Sequence, residues 1–513
     1  MSEDGVSQAG RFLDWMIAER EQADPLVEKL LDLPPSAWQE WLTAHPEAVT
    51  VQFFEGLLKA AESPADPSRS LALTALILGN LDGVQVPPGA ELAETMLRGD
   101  VWRARASALQ QSGDARAALR AYEMSAAMFR AEPVAFEEAE EAERAADALR
   151  GDAGAVARLL DETEIDLWID LASRDELQGP GALADLSREM TARTDRAPRE
   201  AIMISELVTE IADRLPASLF PAVVRAQLRA RAWKDRAMAL RQVARYAEAL
   251  LCLDRAARLL EPFPRLDHDR AGVWLARATV LQEANRVEES APFIAAAKSV
   301  YERHGDRRRL LACCISEGAL LHRMQKYGEA IPAYEACLPL ATELNDLDSV
   351  AVLHNNIGHS ATESGDFALA AVHLDRAVAL FEKLGQPLRA ARSALARGRM
   401  LVRKGDWKHG ISYLRAVREE FLQHEMVEEA GLCGLDMVKA ELARGKSQEA
   451  ETLARQIVRE FTEAGLNRRA ITAVAHLSEA IALRKASGTT VENVREFICV
   501  LRNNPDAEFL STA

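Results

Sequence analysis

The sequence predicts an all-α protein of stacked antiparallel helix pairs, an α-solenoid preceded by an atypical helical domain. Three observations carry this. Small residues recur every 40 positions through the C-terminal half, Gly and Asn keep the same beat between apolar-periodic stretches, and aromatics make up only 5% of a chain that is 48% hydrophobic. A core filled with Ala and Leu lets helices pack closely, whereas strands want alternating β-branched and aromatic runs, and no sustained alternation of that kind occurs. At 513 residues the chain is too long for one compact core, so several domains or an extended array are expected.

The recurrence is explicit. Gly318, Gly358 and Gly398 are 40 apart, and twelve residues after each stands another small residue, Ala330, Ala370 and Gly410. Four further on come Tyr334, Leu374 and Leu414, and three beyond those Cys337, Ala377 and Val417. Backwards the frame reaches Ala278, Ser290, Ile294 and Ala297, then Ala237, Ala249, Leu253 and Ala256. Forwards it meets Val438, Ala450, Ala454 and Ile457, where the first small residue is lost. Asn285, Gln325, Gly365, Gly405 and Gly445 fall between the two apolar stretches of each unit; Gly305, Asn345, Gly385, Glu425 and Gly465 fall between units. Gly and Asn tolerate the left-handed conformation that ends a helix, so Gln325 and Glu425 are expected to close their helices differently. Pro292 and Pro332 are expected at the start of second helices, where a missing N–H costs little. Each unit reads as helix, turn, helix, turn. Small residues on facing surfaces let the helices approach, and the larger residue four positions on fills the gap; neighbouring pairs then stack.

This pattern resembles the tetratricopeptide repeat family, with units lengthened to about 40 residues from the usual 34 or so. Trp102, Trp233 and Trp274 lie four before the small residue of their units, matching the family's Trp position, which later units fill with Cys314, His354, Ala394 and Gly434. The resemblance implies a right-handed superhelix whose first helices line a concave groove. It extends to kinesin-light-chain-like arrays and to bacterial regulatory arrays.

The N-terminal half repeats in another way. A gapless shift of 131 pairs Pro67 with Pro198, Asp82 with Asp213, Trp102 with Trp233, Arg105 with Arg236, Ala106 with Ala237 and Ala118 with Ala249. Residues 50–125 thus read as a copy of 181–256 that includes one helix pair over 102–129. LPPSAWQEWLTAHPEA (33–48) suits a capping helix, and Gly179-Pro180-Gly181 marks the best internal boundary. The expected division is 1–178, a helical domain; 179–488, the array; and 489–513, a capping helix over 490–503 with a tail from Asn503-Asn504-Pro505.

A net charge of −17 argues against a nucleic-acid partner, since phosphate backbones need a basic surface. Residues 131–170 hold 13 acids and three arginines, a solvated face or else a docking patch for a basic partner. Cys252, Cys313, Cys314, Cys337, Cys433 and Cys499 form no C-x-x-C pair and are expected as small core residues in a reducing compartment. The polar start MSEDGVSQAG does not read as a signal peptide, no apolar run is long enough to span a membrane, and a cytoplasmic location is expected. Arg444-Gly445-Lys446 lacks the upstream glycine of a P-loop, and no G-x-S-x-G, strand-borne G-x-G-x-x-G or H-E-x-x-H is present. His354 and His359 suit no common zinc spacing, and the adjacent Cys313 and Cys314 point apart on a helix. The expectation is a non-enzymatic protein without a cofactor or metal.

What remains is a binding surface. In HNNIGHS (354–360), Asn355 and Asn356 precede Ile357-Gly358 much as paired asparagines do in kinesin-light-chain-like repeats, which implies a hydrogen bond to a bound peptide backbone. Helical spacing puts Asn355, His359 and Thr362 on one face. The same frame gives Ile315, Ala319, His322 and Arg323 in the preceding unit and Leu395, Arg399, Val402 and Arg403 in the next. Arginines beside an asparagine suit a carboxylate-bearing segment; alternatively these residues are merely solvated. The candidate groove is therefore Asn355, Asn356, His359, His322, Arg323, Arg399 and Arg403, in an interaction scaffold or adaptor for a protein or peptide. A peptide-responsive sensor acting through a separate effector, such as a protease or transcription regulator, is the alternative.

Overall fold

A computed structural model describes residues 19–62, 66–84, 91–150, 155–174, 177, 179–194, 197–424 and 426–501. The described residues are helical throughout, with no strand among them. The chain divides into two compact units, one comprising residues up to Gln242 with Glu248–Val273, the other Val243–Ala247 with Trp274 onwards.

In the first unit a helix over 19–31 (α1) leads to α2 (Trp38–Ala44), α3 (Val51–Ala61) and α4 (Pro67–Asn80). The stretch expected to cap the fold is a short helix flanked by 3-10 turns at Pro35–Ala37 and Pro46–Ala48. It drives Trp38 and Leu42 into a core with Phe53, Phe54, Leu73 and Ile77, and the Trp38 indole donates to the Leu33 carbonyl at 3.1 Å. Then come α5 (Glu91–Gln111), α6 (Ala115–Arg130), α7 (Phe136–Leu149), α8 (Ala155–Glu162), α9 (Pro180–Arg193), α10 (Pro198–Asp213), α11 (Ala222–Gln242) and α12 (Tyr246–Leu260). The 131-residue shift holds in three dimensions. It carries the first residues of α4, α5 and α6 onto those of α10, α11 and α12. It also carries the Arg98–Asp82 ion pair (2.5 Å) onto Arg229–Asp213 (2.7 Å). Within the acidic stretch, α7 buries Ala139, Ala142 and Ala146 and leaves Glu137 and Glu141 exposed.

After α13 (Asp267–Glu283) the second unit runs through α14 (Val287–His304), α15 (Arg307–Arg323), α16 (Tyr327–Glu335), α17 (Leu338–Glu343) and α18 (Leu347–Ser364). It continues with α19 (Phe367–Lys383), α20 (Pro387–Arg403), α21 (Trp407–Gln423), α22 (Val427–Ala443), α23 (Ser447–Glu463), α24 (Arg468–Ala482) and α25 (Gly488–Leu501). This is an all-α solenoid of antiparallel pairs in which each helix packs on its sequence neighbours. The small residues act as expected. A Cβ added at Gly318 would lie 2.5 Å from the Tyr334 ring, at Gly358 2.6 Å from Leu374, and at Gly398 2.6 Å from Leu414. Ala370, Leu374 and Ala377 are fully buried, and truncating such a leucine costs about 2–5 kcal/mol.

Three expectations about turns and cysteines need correction. Gln325 closes its helix just as the glycines do, with φ 60° against 87° at Gly365 and 89° at Gly405. Its N–H bonds the His322 carbonyl at 2.9 Å and the next N–H bonds Leu321 at 2.9 Å, the paired bonds that satisfy a helix's last carbonyls; these outweigh the cost of a Cβ in that region. Pro292 and Pro332 lie in the second turns of α14 and α16 rather than at their starts. The second helix of the 307–343 pair instead splits at Ala336-Cys337, just before Pro339, which has no N–H to bond back to Glu335. Not every cysteine is a core residue: Cys314 is half-buried and Cys499 exposed, and all six are free thiols. Glu425 and the Asn503-Asn504-Pro505 tail lie outside the described residues.

Candidate partner-binding groove

The second unit positions its polar side chains by the repeat itself. Each first helix must turn its small residue toward its own second helix, so the side chains opposite face away from the packed layer. Asp306, Asp346 and Asp366 accept backbone N–H bonds at the starts of α15, α18 and α19, which fixes where each helix begins and therefore which residues share a face.

The geometry divides the seven candidate residues between two cavities. His322 and Arg323 at the end of α15 and Asn355, Asn356 and His359 on α18 line one of about 540 Å³. Arg399 and Arg403 on α20 line the other, about 1240 Å³, together with Asp436, Lys439, Arg484 and Arg495. Thr362, expected on the Asn355 face, lines this second cavity and bonds the Gly358 carbonyl at 2.8 Å.

Around the first cavity the hydrogen bonds are directional. Ser360 donates its hydroxyl to the Asn356 carbonyl at 2.9 Å, while His322 Nδ1 approaches the same Oγ at 2.9 Å. With its one proton committed, Ser360 can only accept from the imidazole, so Nδ1 of His322 carries hydrogen and Nε2 is an acceptor. The Tyr327 ring packs edge-on against this imidazole, 5.3 Å between centroids. Burial, with the Arg323 cation, holds His322 below the ordinary histidine range. Burial, His322 and Arg399 hold His359 at about 4, so both rings are neutral at pH 7. Asn355 Oδ1 accepts from Ser393 of the next first helix at 2.9 Å, whereas its amide nitrogen has only a 3.5 Å contact to Asn356. The amide N–H groups thus remain available to a ligand.

Arg399 and Arg403 are already engaged. Arg399 donates to Asp436 at 2.6 Å and Arg403 pairs with Glu363 at 2.6 Å. A carboxylate arriving there exchanges one ion pair for another. Arg323 is exposed and has no acid within ion-pair distance among the described residues.

Sequence reasoning missed several lining residues. Spacing marks Asn285 and Gln325 as turn residues only, yet their position beside the groove places them in the first cavity with Tyr327 and Tyr334. Asp436 and Lys439 come from the first helix of the next pair and Arg495 from α25, and none carries a motif. The buried pair His354 and His373, Nδ1 to Nδ1 at 2.9 Å, lies between α18 and α19, away from both cavities. No helix among the described residues is long and apolar enough to cross a membrane.

Residues 311–383 match the tetratricopeptide repeat family model. That stretch therefore carries tetratricopeptide repeats, and the same frame of small residues runs through the helix pairs on either side of it. Among solved structures it is similar to a Rap protein complexed with competence and sporulation factor, at 15% identity over 76% of this chain and 99% of that one, TM-score 0.45. It is similar to aspartyl phosphate phosphatase F from Bacillus subtilis, at 16% identity over 72% and 94%, TM-score 0.40. A STAND protein with a tetratricopeptide repeat sensor from Pyrococcus horikoshii shows 12% identity over 95% and 72%, TM-score 0.45. These are likenesses of helical architecture alone. No curated protein matches the sequence.

Proposed function

We propose that this chain is a protein-interaction module whose second unit binds an extended segment of a partner in the groove lined by α15, α18 and α20. One observation carries the reading: an open, polar cavity of about 540 Å³ interrupts a stack otherwise packed from Ala and Leu, with hydrogen-bonding groups directed into it. An extended segment brings unpaired backbone donors and acceptors, and burying them requires partners. The Asn355 amide supplies a donor and the His322 Nε2 an acceptor, a pairing that suits a peptide unit. Exposed Arg323 favours an acidic group nearby, and the neutral imidazoles of His322 and His359 present no charge to repel a basic one.

The experiment is capture of the partner from the native host, then calorimetric titration of wild type and Asn355→Ala with a peptide from the captured segment. The substitution should weaken binding by about 1–3 kcal/mol, because it leaves a partner group unsatisfied. It should lower stability by about 1 kcal/mol or less, through loss of the acceptor for Ser393. Equal affinity for both proteins would place the contact elsewhere.

A further inference from the structure

The larger cavity is walled on one side by the last described helix. α25 packs on α24 and also doubles back onto α22. There Glu492 pairs with Lys439 at 2.6 Å, and Arg495 faces Asp436 at 3.7 Å. Lys439 stands 40 residues after Arg399 and 80 after His359. On α22, therefore, α25 lies against the frame position that lines a cavity on α18 and on α20. The charge of this cavity runs against that of the protein: six cations and four carboxylates line it, in a chain of net charge −17.

We propose that this cavity binds a phosphomonoester dianion, at a site separate from the peptide contact around Asn355. Charge balance is the first support. Each carboxylate has one cation to match it: Glu363 with Arg403, Asp436 with Arg399, Glu492 with Lys439 and Glu449 with Lys446. Two arginines remain. Arg495 reaches only Asp436 and Glu492, which are already matched, and Arg484 has no acid within ion-pair distance among the described residues. A phosphomonoester carries about −1.5 to −2 at pH 7 and three strong acceptor oxygens, so one such group balances the surplus. A single carboxylate balances half of it.

The backbone at Arg484 is the second support. From α13 onward, the turns inside the helix pairs place one residue in the left-handed region, and Gly365, Gly405 and Gly445 do so without a side chain. Three turns keep one: Asn285 and Gln325 at φ 60° and Arg484 at φ 58°. Glycine would serve each of them at lower cost. All three side chains line a cavity, Asn285 and Gln325 the smaller and Arg484 the larger. Strain of this kind persists where the side chain has a use, and the open fork of an unpaired guanidinium matches phosphate oxygens. The remaining wall is the third support. Val402, Trp407, Leu442 and Ile481 line the cavity beside its cations, which gives the organic body of an ester an apolar surface to cover.

The test is calorimetric titration of the whole chain at neutral pH and one ionic strength, and it needs no partner. Phenyl phosphate is the probe; methyl phenyl phosphate, a monoanion with the same ring, and benzoate are the comparisons. The expected result is saturable one-to-one binding of phenyl phosphate, about ten times tighter than either monoanion. Arg484→Ala should weaken it about tenfold, through loss of a charge-assisted contact, at an unchanged melting temperature. Arg459→Ala makes the same change of net charge at an exposed residue that lines neither cavity, and should leave binding as it is. A phosphotyrosine flanked by alanines separates the two sources of such a group. Tighter binding of phenyl phosphate assigns a free metabolite, tighter binding of the tripeptide a modified side chain, and either supports the dianion site. Absence of saturable binding at millimolar concentrations, equal affinity for benzoate, or equal losses in Arg484→Ala and Arg459→Ala would overturn the proposal. None of these outcomes bears on the Asn355 contact, which is read with a different ligand.

Discussion

In the first unit the copies lie 131 residues apart and each meets different surroundings; in the second they are adjacent, and each helix meets a helix like the one before. The difference shows in what each kind of repetition preserves. Adjacent copies keep their contact rule, a glycine under a large side chain at Gly318–Tyr334, Gly358–Leu374 and Gly398–Leu414. Distant copies keep their helix starts and one ion pair but trade volume inside. Gly99 sits against Phe129, where a Cβ would come within 2.5 Å of the ring. The equivalent positions hold Ala230 and Leu260, both buried. Where the first copy has Gly and Phe, the second has Ala and Leu. Repetition side by side constrains every interface to one solution, while repetition at a distance lets each interface find its own.

The largest effect follows from that exchange. Gly99→Ala should destabilise the protein by about 1–3 kcal/mol through overpacking against Phe129. Adding Phe129→Leu should recover part of the loss, so that the double variant is more stable than the two single costs sum to. Urea denaturation of the three variants measures this, and additive losses would mean that the two copies do not compensate.

Next in size is an acid effect peculiar to the second unit, where the frame position occupied by Trp102 and Trp233 is filled by His354. Burial, His373 and Arg376 hold His354 down to about 4, and burial with Arg376 lowers His373 against Glu335. The unfolded chain therefore binds more protons than the folded one between about pH 6.5 and 4. The contribution is complete above pH 6.5 and falls away as the pH drops through that window, on the order of 1–2 kcal/mol by pH 5. His354→Gln should narrow the gap between melting temperatures at pH 7 and pH 5; an unchanged gap would remove the pair from the acid response.

The smallest effect concerns turns. Gly113 in the first copy has φ 87°, whereas its equivalent, Ala244, is held at φ 50°. An L side chain there costs about 1–2 kcal/mol, so Ala244→Gly should raise the melting temperature slightly, and Gln325→Gly likewise. A loss of stability in both would show that their side chains contribute more than the strain they impose.

The helix pairs were legible because close approach and chain reversal make local demands: small residues and left-handed turns leave a trace at fixed spacing. Gln325 escaped because the turn's two hydrogen bonds outweigh the cost of its Cβ, so the geometry persists where its usual residue does not. The position of Asn355, His322 and His359 around one cavity followed from the frame. The engagement of Arg399 by Asp436 did not, because Asp436 comes from a helix of the next pair and its charge bears no fixed spacing to the arginine.

Packed contacts in the second unit join helices no more than three apart in order, which has a mechanical consequence. Tension applied to its ends passes through these interfaces in series, with no strongly packed long-range strut among the described residues to share the load. Each pair that yields lengthens the chain by roughly 130–140 Å, the reach of some 40 extended residues. The pair whose second helix is split into nine and six residues has the shortest grip. That stretch is where such a spring is expected to give first.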